Sequence, residues 1–373
     1  MRVIGSNKSA AALYQPLCKV PGMTADLRLR SVLCPFAAAT LRAGTARLRA
    51  AHGAALRIAA ALLSVAACTA AVAQSMPDSI RIIVPFSAGG GNDVFARVLA
   101  RELAPKLGRP VLVENRLGAG GNIGTDVAAK ATPDGSVLVL SSSGPLASNK
   151  LLSRSLPYDP EKDLAPIAFL GETPMFILVT KSSPYLRLGD LLGDARAGQV
   201  PLNFGHSGNG TIGHLTLELL RANSRRAIND VPYKGGTQVV ADILSQVLDG
   251  GVGLYTASSL AHARNSTLRI LAVTSAERLA SALDIPTVVE EGFPQLRSST
   301  WFALVGPKGM PRAFIERVNR EVNAYLTSPA GETKLQELGL YVQAGAPEIV
   351  TQRIRDELSK WAPIVREHGV KLD

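Results

Sequence analysis

Five segments of the chain set glycine beside serine, threonine or asparagine, each where an extended stretch gives way to a helical one. The first reads Val84-Pro-Phe-Ser-Ala-Gly-Gly-Gly-Asn-Asp93. Its glycines let backbone approach a ligand closely, and the helix start aims N–H groups at the same point, which makes an anion site. Phe86, Ser87, Ala88, Gly89, Gly90, Asn92 and Asp93 are its candidate contacts, with Asn92 or Asp93 as helix cap. The third segment, Phe204-Gly-His-Ser-Gly-Asn-Gly-Thr-Ile-Gly-His214, begins like the nucleophile elbow of a hydrolase. Asn209 stands where the elbow needs its second glycine. The segment reads better as a cradle of backbone and hydroxyl donors built from Ser207, Gly208, Asn209, Gly210 and Thr211. His214 is expected to pack in the following helix or to bond a loop. The fourth, Val231-Pro-Tyr-Lys-Gly-Gly-Thr237, offers Tyr233 as an apolar wall with a polar tip and Gly235 as a close approach; Lys234 reads as surface. Ser142, in the run Ser141-Ser142-Ser143-Gly144, is a fifth strand-end hydroxyl.

The second segment, Gly118-Ala-Gly-Gly-Asn-Ile-Gly124, resembles a dinucleotide fingerprint only superficially. Ile123 occupies the third glycine position and no suitable acid follows about 20 residues on, so a structural turn is expected. Metal chemistry is poorly supplied. After residue 73 the histidines are His206, His214, His262 and His368, none in a His-x₃-His pairing, and there is no cysteine. No metal and no cofactor is expected, and Cys nucleophiles, disulfides and Cys-ligated metals are excluded from that region.

The elements that must position these loops alternate. Residues 80–86 read as a buried strand. Val94/Val98 and Phe95/Leu99/Leu103/Leu107 recur at helical spacing, which predicts a helix over 92–107, stopped by Gly108-Arg109-Pro110. Strands at 111–114 and 136–140 flank a short helix at 122–130. This β-α-β-α-β order argues for a parallel sheet with helices on both faces. A second unit repeats the plan, with helices at 211–222 and 237–248 and strands at 228–233, 252–255 and 270–273. Strands at 176–179 and 301–305 are read as crossings between the units. Two amphipathic helices, 312–326 and 348–366, follow. The expected fold is α/β and two-lobed, with a ligand cleft between the lobes. Lobe 1 comprises 74–174 and 298–373, and lobe 2 comprises 175–297.

Of 373 residues, the first 73 carry nine Lys/Arg against one acid. The formal charge of +10 therefore falls to 31 Lys/Arg against 29 Asp/Glu beyond them, a poor nucleic-acid footprint. Arg47, Arg49 and Arg57 precede an uncharged apolar run over 58–70 and the small-x-small site Ala71-Val72-Ala73. That is the grammar of an export signal cleaved after Ala73. A lipoprotein box ending at Cys68 is the competing cut.

Together these segments resemble the Bug family of periplasmic proteins, the solute-binding subunits of tripartite tricarboxylate transporters. The resemblance covers nearly all of 78–373. It rests on the 84–97 segment, Val113-Glu-Asn-Arg116 with 118–124, Pro133-Asp-Gly135, Pro157-Tyr-Asp159, Ser207-Gly-Asn-Gly-Thr211 with His214-Leu215, Val231-Pro-Tyr-Lys-Gly235 and Pro286-Thr287 with Glu290-x-Gly292. It implies a type II periplasmic-binding-protein fold and a small carboxylate ligand held by backbone amides and small hydroxyls, often through water. It also implies membrane transporter subunits as partners, a monomer and no enzyme activity. The sequence departs from the family pattern at Asn92, where Thr is common, and at Ser136, where an aromatic is usual. Val252-Gly-Leu-Tyr-Thr-Ala257 lacks both acids of the family strand, which favours either a more anionic ligand or, through Tyr255 as a further candidate contact, an aromatic one. The alternatives are a ligand-loaded partner of a membrane sensor kinase and a secreted serine hydrolase using Ser207.

Overall fold

The computed structural model describes residues 77–194, 200–254, 256–265 and 267–368. The leader and Tyr255 lie outside them. Strand β1 (Ile80–Val84), helix α1 (Gly91–Leu107), strand β2 (Val111–Asn115), helix α2 (Asn122–Ala129) and strand β3 (Val137–Ser142) open the fold. A π turn leads to helix α3 (Asn149–Leu152) and strand β4 (Leu164–Thr180). Next come helix α4 (Leu188–Gly193), strand β5 (Leu202–His206), helix α5 (Ile212–Asn223), strand β6 (Ile228–Pro232), helix α6 (Gly236–Leu244), strand β7 (Gly250–Leu254), helix α7 (Ala257–Arg264) and strand β8 (Leu268–Val273). Strand β9 (Ser299–Pro307), helices α8 (Arg312–Leu326) and α9 (Pro329–Glu337), strand β10 (Tyr341–Val342) and helix α10 (Glu348–His368) complete it.

The strands join in the order β2-β1-β3-β9-β4-β7-β5-β6, with β8 and β10 also on β4. β1, β2 and β3 are mutually parallel, as are β5, β6 and β7. β4 and β9 run antiparallel to their neighbours. β4 is far longer than the 176–179 stretch that the sequence predicts. Up to Pro174 it pairs with β9; from Met175 onward it pairs with β7 and β8. One strand therefore belongs to both parallel sets. Thr274 fastens the changeover: its Oγ accepts from the Met175 amide at 2.8 Å and donates to the Ser298 carbonyl at 2.6 Å.

Apolar clusters cover both faces of each parallel set. Successive side chains of a strand point to opposite faces, so Phe302 packs with α1 and α8 while Trp301 packs with α10. α1 forms because Phe95, Leu99, Leu103 and Leu107 make one buried stripe. Helix α10 touches both sets. Val350 and Ile354 lie in the cluster of Trp301, whereas Trp361 lies in that of Phe204 and Leu215. Between them the buried Glu357 accepts the indole N–H of Trp301 at 3.2 Å and of Trp361 at 2.8 Å.

Two sequence expectations need correction. The helix expected over 237–248 ends at Leu244, because Gln246 takes a left-handed φ of 60° and the Val247 and Leu248 amides turn back to the Asp242 carbonyl. A third helix, α9, lies between the two expected near the C-terminus, capped by Ser328. Glu357→Leu will orphan two buried indole donors and destabilise the protein by about 1–3 kcal/mol for each. Chemical denaturation checks this, and an unchanged midpoint would contradict the role given to Glu357.

Candidate ligand-binding cleft

Loops after β1, β2, β3, β5 and β6 leave the carboxyl ends of parallel strands and converge. Open α/β sheets place ligand crevices at such ends. Two adjoining cavities lie there, of about 210 Å³ and about 30 Å³, and share Phe86 and Ser207. Ser87, Gly90, Asn92, Ser142, Thr211 and Gly235 line the smaller. Gly208, Asn209 and Tyr233 line the larger.

The first loop is held by Asp93. Its carboxylate, almost fully buried, accepts from the Gly89 amide, Arg97 Nε and Asn115 Nδ2, each at 2.9 Å. Asn115 Nδ2 also donates to the Phe86 carbonyl at 3.0 Å. Burial alone would push the Asp93 carboxyl up, but the bonds from Arg97, Gly89 and Asn115 hold it below the usual carboxylate range. The expected cap is corrected here. Gly90 is the N-cap of α1 and no side chain caps it; Asp93 reaches past it to the Gly89 amide and braces the loop. Ala88 and Gly89 are exposed and line neither cavity.

Two buried polar atoms in this loop lack partners, Ser87 Oγ and Asn92 Oδ1. Both residues line the smaller cavity. Rotating the Asn92 amide exchanges its oxygen and nitrogen, so either end can meet a ligand.

The loop after β5 is more tightly tied than the sequence suggests. Thr211 caps α5, its Oγ accepting from the His214 amide at 3.3 Å and donating to the Gly208 carbonyl at 2.7 Å. Ser207 Oγ donates to Thr211 Oγ at 3.3 Å, not to an imidazole. The Gly208 and Gly210 amides turn inward to His206 and His214, so these two are not free donors of an anion cradle. Gly210 lines neither cavity, and its carbonyl faces Ser148 Oγ at 3.4 Å. The Tyr233 hydroxyl donates to Asp242 at 2.5 Å; burial and that carboxylate push it up to about 12. Its ring remains the wall.

The sequence reading assigns 118–124 to a structural turn, yet Gly118, Ala119, Gly120 and Gly121 line the larger cavity. Gly120 has φ of 61°, and a Cβ there would overlap the Asn209 carbonyl across the cleft. The signal was present in the glycine run after a strand end. Lys234, read as surface, also lines that cavity, as do Pro85 and Pro232.

A larger groove of about 720 Å³ lies by Glu172, Pro174, Arg278, Ser299 and Lys360. Met175 and Thr300, next to Pro174 and Ser299 in the chain, face the smaller cavity, so the groove sits on the other face of the crossing strands. Arg278 is paired with Glu290, and Glu172 with Arg353. Ser87 and Asn92, each with a buried unpartnered polar atom, line the cleft, and no residue lining the groove carries such an atom among the described residues.

An R. palustris protein solved with adipate matches this fold with a TM-score of 0.75 and 31% identity, over 79% of this chain and 99% of that one. MatC from Rhodopseudomonas palustris, solved with bound malate, matches with a TM-score of 0.73 and 28% identity, over 77% and 98%. The fold is that of the periplasmic solute-binding proteins. Residues 95–370 match the tripartite tricarboxylate transporter family receptor, and protein BugT of Bordetella pertussis is 39% identical over 294 residues, 79% of this chain and 90% of its own. The chain belongs to this receptor family.

Gly120→Ala will set a methyl group against the Asn209 carbonyl and oppose approach of the two loops by about 1–3 kcal/mol. Solution scattering checks this: an expanded particle relative to wild type is expected, and identical scattering at every condition would contradict the close contact.

Proposed function

We propose that this receptor captures a small carboxylate in the cleft between two lobes and delivers it to membrane transporter subunits. Lobe 1 comprises 74–174 with 298–373, and lobe 2 comprises 175–297. Closure turns about the changeover fastened by Thr274. The observation that carries the reading is the convergence of strand-end loops on two cavities, with Ser87 Oγ and Asn92 Oδ1 buried and unpartnered at the start of α1. Neutral donors and a helix N-terminus suit a carboxylate. The adipate and malate bound to the two R. palustris relatives supply the chemical precedent. Ser87, Asn92, Ser142, Ser207, Asn209 and Thr211 are the proposed polar contacts. Phe86, Gly90, Tyr233 and Gly235 shape the walls, and Asp93 braces the first loop. The role is binding without catalysis, consistent with Ser207 bonding Thr211.

Among the described residues no helix is long and apolar enough to cross a membrane. Export by the leader, with cleavage after Ala73, is part of the same proposal.

Thermal unfolding against a panel of di-, tri- and aromatic carboxylates, amino acids and neutral sugars tests it. A carboxylate at 100 times its Kd will stabilise the protein by about 2.7 kcal/mol, and Gly208→Asp will abolish that shift while remaining folded. A response to neutral sugars alone would overturn the assignment.

A further inference from the structure

Two imidazoles lie beneath the loop after β5. The Gly208 amide donates to His206 Nδ1 and the Gly210 amide to His214 Nδ1, both at 3.2 Å. The rings stack with centroids 4.8 Å apart and planes 27° from parallel. Both are buried. An amide N–H can only donate, so each Nδ1 is an acceptor and each neutral ring carries its proton on Nε2.

The charged groups facing the rings are Asp230 on β6 and Glu218 and Arg221 on α5. His206 Nε2 lies 2.5 Å from Asp230 Oδ1, off hydrogen-bond alignment. His214 Nε2 lies 3.8 Å from Asp230 Oδ2 and 3.9 Å from Glu218 Oε1. Arg221 pairs with Glu218 at 2.5 Å.

By proximity alone His206, His214 and Asp230 resemble a cation site, their ligand atoms lying within 4.8 Å of one another. The hydrogen bonds argue otherwise. A metal would take the Nε2 lone pair and force the proton onto Nδ1, directly against an amide proton. Metal-bound histidines instead donate from their other nitrogen. These Nδ1 atoms are committed as acceptors.

We propose that His206 and His214 are positioning residues, acceptors that fix the Gly208 and Gly210 amides and so shape the Ser207–Thr211 wall of the cleft, and that this wall loosens in acid. Protonating either ring would set N–H against N–H. Burial holds His214 down at about 4, against about 6.5 for an unfolded histidine. The neutral ring is therefore favoured by the fold. Its contribution is complete above about pH 6.5 and is lost as pH falls toward about 4, because the unfolded chain takes up the proton first.

The test is NMR on the protein labelled with ¹⁵N in histidine and glycine, in wild type, His214→Phe and His214→Asn. Phe keeps the stacking without an acceptor; Asn returns an acceptor near the Nδ1 position and does not titrate. Both rings of the wild type should show the Nε2–H tautomer. The Gly210 amide should exchange about tenfold faster in His214→Phe, the loss of one hydrogen bond. His214→Asn should restore its protection and flatten its pH dependence between about 4 and 6.5. The Nδ1–H tautomer in either ring, equal Gly210 exchange in all three proteins, or displacement of the Nε2 protons by added Zn²⁺ would overturn the proposal. None of these readings needs a ligand, so they stand apart from the capture of carboxylates.

Discussion

The cleft depends on one strand pairing. β4 and β9 lie antiparallel from Leu164↔Pro307 to Pro174↔Ser299, after which β4 alone continues into the second parallel set. That continuity points the carboxyl ends of both sets at a common space, so loops distant in sequence face each other. Thr274 bonds the Met175 amide of β4 and the carbonyl of Ser298, which precedes β9, at the changeover. A backbone amide buried without a partner costs free energy comparable to a lost hydrogen bond; the Thr274 hydroxyl supplies one where ladder pairing changes hands.

Around this frame the loops are held from behind and leave their faces open. Asp93 braces the first through Gly89, with Arg97 balancing its charge and Asn115 adding a hydrogen bond. The loop after β5 is braced by Thr211 and by two imidazoles. Asp93 and the two imidazoles line neither cavity, whereas Thr211 both braces its loop and lines the smaller one. Lys234 is the cationic residue that lines the larger cavity.

The sequence made most of this legible where period and punctuation agree. α1 carries an apolar stripe and stops at Gly108, whose φ of 67° is the left-handed cap its glycine allows. β4 was under-read for the opposite reason. Pro166, Gly171 and Pro174 look like breakers, yet the strand absorbs Pro166 and Gly171 through register shifts against β9. The 118–121 turn was judged by a nucleotide fingerprint that it fails, although its glycines serve close approach to Asn209. Asp93 was legible as an anchor of its loop, but not its bond to Asn115, 22 positions away. The bond of His214 to its loop was legible; that of His206 to the Gly208 amide was not.

A crystal structure of the protein with the most stabilising carboxylate tests the central claim most directly. Density for the anion is expected between the first loop and the loop after β5, within hydrogen-bond reach of Ser87, Asn92 and Ser207. Density instead in the groove beside Lys360 and Arg278, with Ser87 and Asn92 still unpartnered, would contradict it.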